Sequence, residues 1–201
     1  MRMAPKVYSA CVAAVILALS MFAFAETPLN ERLASLHIKN FGRINDNYFR
    51  GAQPQARDYA ALAAFGVKAV VDLQYQGEAA EPQQVKAAGM KFYRIGMTSE
   101  SKPSRQQVEA FLRIVDDPAN QPVFVHCHGG RHRTGVMTAI YRLSHDGWNA
   151  DRAFAEMKHY EFNKGFGHGA LKDFVFEYYA GLDHQKATDK GQGMRVAADN
   201  Q

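Results

Sequence analysis

Cys127 and Arg133 have the side chains in this sequence best suited to attack and hold a phosphate ester. They are separated by five residues in the segment VHCHGGRHRTG, which spans residues 125–135. A cysteine thiolate is a good nucleophile, and an arginine offers a planar fork of donors that matches two phosphoryl oxygens. Phosphoryl transfer spreads negative charge over the equatorial oxygens, so Arg133 would stabilise the transition state as well as the substrate.

The residues between this pair have the composition of an anion-binding loop. Gly129 and Gly130 allow a tight backbone path and leave room for a ligand against it. Backbone N–H groups and the dipole at the start of a helix attract a phosphate dianion and favour a thiolate over a thiol. Thr134 is expected to donate its hydroxyl to the sulfur of Cys127. We therefore expect Arg133 to bind the substrate phosphate together with these loop residues: His128, Gly129, Gly130, Arg131 and His132.

Such a loop has to lie between a buried strand and a helix, and the sequence predicts both. Short apolar runs rich in β-branched residues predict buried strands, and longer segments with capping signals predict helices. Ser104 and Gln107 form a capping-box pattern, and Asn149 is the expected cap of the helix after it. The predicted strands are 48–50, 68–73, 91–95 and 122–126, and the predicted helices are 58–65, 81–88, 104–115, 134–144, 151–159 and 171–179. This alternation predicts an α/β fold with a central, mainly parallel sheet flanked by helices on both faces.

The loop resembles the signature of a known enzyme family. The cysteine-dependent protein tyrosine and dual-specificity phosphatases share the pattern His-Cys-x-x-Gly-x-x-Arg-Ser/Thr. It is matched here by His126, Cys127, Gly130, Arg133 and Thr134. The resemblance implies a phosphorylated substrate, a phosphocysteine intermediate and no cofactor.

The resemblance extends beyond the loop, over roughly residues 41–182. The segments FRGAQP at 49–54 and VKAVVDL at 67–73 look like the opening of the compact bacterial, fungal and plant members with dual-specificity-like domains. The segment NKGF at 163–166 resembles an Asn and Phe segment that lies near the active site in the superfamily. The family fold that this implies agrees with the α/β prediction made from the alternation of elements.

The general acid is where the sequence departs from the family pattern. The resemblance implies an Asp about 30 residues before the cysteine, which protonates the leaving oxygen. The corresponding stretch GMTSESKPS at 96–104 contains no Asp, and Glu100 is its only acid. Glu100 is either a general acid with a longer reach or a solvated surface glutamate. Asp72 could point at the same pocket, although structural hydrogen bonding is the expected role for it.

The loop is also rich in basic residues. His128 and Arg131 resemble cations of members that act on phosphoinositides, and Arg131-His132-Arg133 is similar to a Lys-His-Arg of fungal and plant members linked to inositol pyrophosphates. The alternative is that Arg131 and His132 pair with local carboxylates. We expect no metal site, because no carboxylate or cysteine pair completes a ligand set with the histidines at metal spacing.

The first 25 residues have the pattern of a cleavable export signal. Arg2 and Lys6 precede an uncharged apolar stretch, and Ala23-Phe24-Ala25 offers small residues at a cleavage site. An uncleaved membrane anchor is the alternative. Cleavage would remove Cys11 and the two cations, lowering the net charge from +4 to +2, which gives no case for binding nucleic acid. It predicts a periplasmic or secreted protein without stable membrane association.

Together these patterns predict a signal at 1–25, a cysteine phosphatase domain at 29–182 and a disordered tail at 183–201. The predicted reaction is hydrolysis of phosphate monoesters, either phosphotyrosine in proteins or inositol phosphates. A phosphate-binding module without turnover is the first alternative, because the general acid is not evident. An arsenate reductase or a sulfurtransferase is the second. A reductase would need further cysteines, and none would remain beside Cys127 after cleavage.

Overall fold

The computed structural model describes residues 36–162 and 168–198, which contain five strands and six helices. The strands are β1 (Gly42–Asn45), β2 (Tyr48–Ala52), β3 (Ala69–Gln74), β4 (Lys91–Met97) and β5 (Val123–Cys127). The helices are α1 (Ala56–Ala64), α2 (Glu81–Ala87), α3 (Arg105–Asp116), α4 (His132–His145), α5 (Ala150–His159) and α6 (Gly169–Ala198). The predicted signal at 1–25, the predicted domain start at residue 29 and the NKGF segment at 163–166 lie outside the described residues.

The strands form one sheet in the order β1-β2-β5-β3-β4. β5 is central and pairs in parallel with β2 and β3, β3 pairs in parallel with β4, and β1 is an antiparallel edge strand. The predicted α/β fold with a mainly parallel sheet is therefore confirmed. β1 is absent from the sequence prediction, because a strand of four residues with two buried positions carries little apolar pattern.

Both faces of the central strand are covered. Val123, Phe124 and Val125 of β5 have no exposed surface, as expected for a parallel strand between two helical layers. Helices α3 to α6 share one large apolar cluster with the sheet, which includes Phe111 of α3 and Ile140 of α4. Helices α1 and α2 pack against each other outside that cluster. The nucleophile predicted from the sequence thus stands at the end of a central strand that is buried along its whole length.

Local capping signals fix where two helices begin. Ser104 accepts a hydrogen bond from the Gln107 backbone N–H while the Gln107 side chain accepts one from the Ser104 N–H, so the predicted capping box before α3 is confirmed. Asn149 accepts from the backbone N–H of Arg152, as expected for the cap of α5. Each such cap satisfies backbone donors at a helix start that would otherwise lack partners.

The carboxyl-terminal part of the chain differs from its prediction. Helix α6 continues to Ala198, whereas the sequence predicts a disordered tail from residue 183. The sequence predicts disorder there because the segment contains few apolar residues. Within the described parts of the chain, no helix combines the length and the apolar character needed to cross a membrane.

Candidate active site

The site forms where β5 ends and α4 begins. Cys127 is the last residue of β5 and is 2% exposed, and residues 128–131 connect it to the first turn of α4. A cavity of about 180 Å³ opens above this loop. Its walls contain most of the predicted phosphate-binding residues: Cys127, His128, Gly129, Arg131, His132 and Arg133, together with Ser99. The structure therefore brings the nucleophile, the loop and the arginine fork to one place.

Gly130 belongs to the loop but is not among the residues that line the cavity. Its φ is +63°, in the left-handed region that favours glycine. A Cβ at this position would approach the backbone atoms of Gly51 and Ala52 to 2.5 Å. Gly130 is therefore required by the close packing of the loop on the end of β2, rather than by direct contact with a ligand.

Arg133 spans the cavity from the first turn of α4 to the end of β4. Its Nη1 donates to the carbonyl oxygen of Met97 over 3.2 Å. Its buried Nε has no hydrogen-bond partner among the described residues. One side of the guanidinium is thus anchored while other donors stay available, which is the arrangement needed to hold a phosphoryl group.

Thr134 follows Arg133 and is fully buried. Its hydroxyl has no hydrogen-bond partner in the part of the chain that the structure describes. The predicted donation from Thr134 to the sulfur of Cys127 is therefore not formed in this structure, and it remains a prediction for the thiolate state.

Arg131 and His132 line the cavity and also have local partners. Arg131 Nε lies 3.8 Å from Oε2 of Glu161. His132 Nε2 lies 2.9 Å from the Phe162 carbonyl oxygen, and its ring stacks on that of His168 with 3.5 Å between centroids. Arg131 thus has a nearby carboxylate, as the alternative interpretation proposes, whereas His132 contacts a carbonyl oxygen and a histidine ring. Both side chains still line the cavity.

Glu100 lies next to the cavity rather than in its wall. Its carboxylate is exposed and accepts a hydrogen bond from the hydroxyl of Ser99, which is the residue that lines the cavity. That hydrogen bond, with a smaller contribution from the nearby His168, holds the pKa of Glu100 below its ordinary value. A carboxyl of this kind is ionised at neutral pH, which favours the surface interpretation over a proton donor. Its role as general acid remains a prediction that a variant can test.

Asp72 has a structural environment. It is fully buried in β3, where Oδ2 lies 2.8 Å from Nε of Arg94 and Oδ1 accepts from the backbone N–H of Gln74. It does not line the cavity. This agrees with the structural role that the sequence analysis favoured for it.

A buried acid behind the loop, Glu81, was not predicted from the sequence. Glu81, in the first turn of α2, has no exposed surface and accepts a hydrogen bond from the hydroxyl of Tyr59 over 2.8 Å. His126 Nε2 lies 2.8 Å from the same Glu81 oxygen, although the ring is poorly aligned for a hydrogen bond. A histidine on a fully buried strand is the one sequence signal that called for such a partner.

Asp72, Glu81 and His126 place one potential ligand atom each within 4.8 Å of one another. The guanidinium of Arg94 already contacts this cluster, 2.8 Å from Asp72 and 3.8 Å from Glu81. A metal ion would have to share the space with that cation. We therefore interpret the cluster as a buried ion network, and the absence of a metal from the phosphate site remains a prediction.

A cysteine at the end of a central parallel strand, an anion-binding loop and an arginine at the start of the next helix define a class of site, that of phosphate-processing cysteine enzymes. Residues 37–173 match a protein-family model described as "DSP-PTPase phosphatase fused to NAD+ Kinase". This match covers more than half of the chain, so the protein belongs to the dual-specificity-type family of cysteine-dependent phosphatases.

Curated relatives have phosphatase names. The chain is 28% identical over 134 residues to "Inositol diphosphatase SIW14" of Saccharomyces cerevisiae, covering 63% of this chain and 47% of the relative. It is 27% identical over 126 residues to "Inositol diphosphatase DSP2" of Oryza sativa subsp. japonica, covering 60% and 61%. It is 30% identical over 129 residues to "Dual specificity protein phosphatase TpbA" of Pseudomonas aeruginosa, covering 64% and 56%. The chain therefore spans roughly half to three fifths of the length of these relatives.

Solved structures share the fold. The core catalytic domain of the PP-IP phosphatase SIW14 from S. cerevisiae, in complex with citrate, has a TM-score of 0.64 at 23% identity and covers 77% of this chain and 94% of that chain. P. aeruginosa TpbA has a TM-score of 0.58 at 24% identity and covers 71% and 91%. At these identities the likeness establishes the fold.

Proposed function

We propose that this protein hydrolyses phosphate monoesters through a phosphocysteine intermediate on Cys127. The observation that carries the proposal is the meeting of Cys127 and Arg133 in one cavity of about 180 Å³, which suits a phosphoryl group. Binding a phosphate needs only the loop and the arginine. A thiol among the lining residues adds a nucleophile, which a binding module does not require.

In the first step, Sγ of Cys127 donates an electron pair to phosphorus and forms the P–S bond. The bond between phosphorus and the leaving oxygen breaks, and that oxygen keeps its electron pair and takes up a proton from solvent water. Arg133 and the backbone N–H groups of the loop stabilise the charge on the three remaining phosphoryl oxygens. A phenolate or a phosphate leaving group needs the proton least, because it is stable as an anion.

In the second step, a water oxygen attacks phosphorus and the P–S bond breaks. The electron pair returns to Sγ, one proton leaves the water, and inorganic phosphate is released. Thr134 would donate its buried hydroxyl to the departing thiolate, which lowers the barrier to breaking the P–S bond.

Two substrate classes fit the proposal: phosphotyrosine in proteins and inositol phosphates. Inositol pyrophosphates would present a phosphoanhydride bond to the same attack by Cys127, with a phosphate as the leaving group. Relatives named as inositol diphosphatases support the second class. A solved structure of TpbA in complex with pTyr supports the first. A second cavity of about 450 Å³ adjoins the phosphate loop through His128 and is bordered by Lys39 and Gln53, so it offers space for the rest of either substrate.

The test is turnover by the purified mature protein on an aryl phosphate, tyrosine phosphopeptides, inositol phosphates and inositol pyrophosphates. We expect Cys127→Ser to abolish turnover while inorganic phosphate still binds, because the backbone loop survives. Rapid quenching of the wild type should trap phosphate on Cys127 by mass spectrometry. Turnover by the serine variant would contradict the thiolate mechanism.

A phosphate-binding module without turnover is the second candidate. It is favoured by the cavity wall, which contains no carboxyl group among the described residues. Phosphate binding by the wild type without hydrolysis of any of these substrates would support that candidate.

We also propose that the protein is exported and acts in the periplasm or outside the cell after removal of residues 1–25. The support is the charge and apolar pattern of that segment. Intact-mass measurement of the protein from the exported fraction should give a chain beginning at Glu26. A membrane-bound chain that retains residues 1–25 would contradict cleavage.

A further inference from the structure

Arg50 is a fully buried arginine that lies under the phosphate loop. It stands on β2, next to β5, and its side chain has no exposed surface. Its Nη2 donates a hydrogen bond to the carbonyl oxygen of Gly130, and its guanidinium carbon lies 3.9 Å from the centre of the Tyr160 ring. Nε and Nη1 are buried without hydrogen-bond partners among the described residues.

No ion pair within the described part of the chain involves Arg50. Burying a guanidinium without a nearby anion is costly, and an arginine in this position normally pairs with a carboxylate. Burial accordingly lowers the pKa of Arg50, while negative charge on Tyr48, Tyr160, Glu156 and Cys127 would act in the opposite direction. Among these groups only Cys127 lines the cavity, so a thiolate there, or a phosphate bound beside it, would add negative charge on the cavity side of Arg50.

Three successive carbonyls of the loop are held from outside the cavity. The His128 carbonyl accepts from the Gln53 N–H over 3.2 Å, the Gly129 carbonyl accepts from Nδ2 of Asn40 over 2.8 Å, and the Gly130 carbonyl accepts from Arg50. In a trans peptide the C=O and the following N–H point in opposite directions. Fixing these carbonyls outward therefore turns the next three N–H groups toward the cavity.

We propose that Arg50 is a positioning residue and buried counter-charge, which fixes the Gly130 peptide and stabilises the negative charge of the Cys127 thiolate and of a bound phosphate. Asn40 fixes the neighbouring peptide without adding charge. The consequence for catalysis rests on the proposed function. The effect on thiolate formation and phosphate binding holds for a binding module as well.

Several other charged or titratable groups surround this part of the molecule. Arg131, His132 and Arg133 reach the cavity from the loop and α4, and His128 reaches it from the loop. Tyr48 of β2, Glu156 of α5 and Tyr160 face Arg50. His126 is fully buried one residue before Cys127. All of these groups remain unchanged in variants of Arg50, so a change in thiol reactivity is attributable to position 50.

The experiment measures the rate of alkylation of Cys127 by iodoacetamide as a function of pH, without substrate. Arg50→Gln keeps an amide donor for the Gly130 carbonyl but removes the charge, so the midpoint of the rate profile should move to higher pH. Arg50→Lys keeps the charge and should leave the midpoint near that of the wild type. Asn40→Ala should leave the midpoint unchanged. Arg105→Met, which removes an exposed arginine on α3, is the matched control and should change nothing.

A second measurement is protection of Cys127 from alkylation by inorganic phosphate. Loss of a hydrogen bond from a charged donor should weaken phosphate binding about 10-fold or more in Arg50→Gln. Asn40→Ala should weaken it by a smaller factor. Circular dichroism and thermal unfolding establish that each variant is folded. If Arg50→Gln does not fold, Arg50→Met replaces it, because it also removes the charge and keeps an unbranched side chain.

The proposal is overturned if folded Arg50→Gln keeps the midpoint and the phosphate affinity of the wild type. It is also overturned if the midpoint is shifted in folded Arg50→Lys. An equal midpoint shift in Asn40→Ala would show that loop distortion, rather than charge, is responsible. These outcomes do not depend on turnover. A wild type that binds phosphate but hydrolyses nothing would end the proposed function and leave the inference about Arg50 intact.

Discussion

Arg133 holds its guanidinium between the first turn of α4 and the carbonyl of Met97, with further donors left for a ligand. This geometry depends on a planar fork. Lys in its place would supply a charge but could not hold the Met97 carbonyl and two phosphoryl oxygens at once. A substitution at Arg133 therefore tests the shape of the side chain as well as its charge.

We expect Arg133→Lys to lower kcat/KM by on the order of 10²-fold or more, similar to removal of a transition-state donor. Steady-state kinetics on an aryl phosphate measure the loss. Arg131→Lys is the matched control. Nε of Arg131 lies 3.8 Å from Oε2 of Glu161, a long contact that does not depend on a planar fork, so this substitution should lower kcat/KM by less. A near-normal rate for Arg133→Lys would show that Arg133 does not hold the phosphoryl group.

Glu100→Gln tests the general acid. If Glu100 donates the proton, the variant should slow hydrolysis of alkyl phosphates far more than that of aryl phosphates, and the basic limb of the pH–rate profile should disappear. The low pKa and exposed position of Glu100 instead predict unchanged rates on both substrates. We expect the second result. A loss of rate confined to alkyl phosphates would instead identify Glu100 as the general acid. The same two substrates are measured with Asp72→Asn, because Asp72 is the other acid considered for this role.

Contacts between different strands and helices position the residues of the site. Helix α2 brings Glu81 beneath β5, and β2 brings a backbone edge against the loop. Each contact joins segments far apart in sequence. A substitution at one of these contacts should therefore displace the helix or strand that it holds, as well as remove a single side-chain interaction.

Glu81→Gln should weaken the coupling of folding to pH. Burial alone would raise the pKa of Glu81, but His126 and the Tyr59 hydroxyl lower it below its ordinary value. A carboxyl with a lowered folded-state pKa stabilises the fold above its unfolded pKa of about 4.3, and this stability is lost as pH falls through the folded pKa. The variant should therefore show a flatter loss of stability below about pH 5, and a free energy of unfolding lower by about 1–3 kcal/mol at pH 7.

Urea unfolding of wild type and Glu81→Gln between neutral and acidic pH gives this comparison. Glu109→Gln is the control, because Glu109 is half-exposed and pairs with an exposed arginine. Parallel stability curves for wild type and Glu81→Gln would contradict a native-state pKa shift at this residue.

Gly130→Ala should damage the loop far more than Gly129→Ala. A Cβ at Gly130 would collide with the backbone of β2, and an alanine there would have to adopt a positive φ. A Cβ at Gly129 would meet only the side chain of Arg131, at 3.1 Å. Displacing the loop by about 1 Å can cost about 10²-fold in rate, and we expect at least that loss for Gly130→Ala. Kinetics and phosphate protection of Cys127 measure both variants, and equal effects would contradict this account.

At the scale of the whole molecule, the sequence predicts what is encoded locally. The nucleophile, the loop glycines and the arginine lie within one short segment, and the alternation of apolar strands with capped helices predicts the parallel sheet that positions them. Arg50, Asn40 and Glu81 could not be assigned in this way. Their partners are 80, 89 and about 45 positions away, so only the folded chain shows that they support the loop. Glu81 also stands in the first turn of a helix, where an acid is ordinarily exposed.

The central position of β5 also determines how the activity should respond to heating. Strands with partners on both sides open only when the whole sheet opens, so their amide hydrogens exchange with solvent last. Fraying of the edge strand β1 or of the end of α6 leaves the sulfur of Cys127 in place. Heat should therefore inactivate the protein in a single step that coincides with global unfolding.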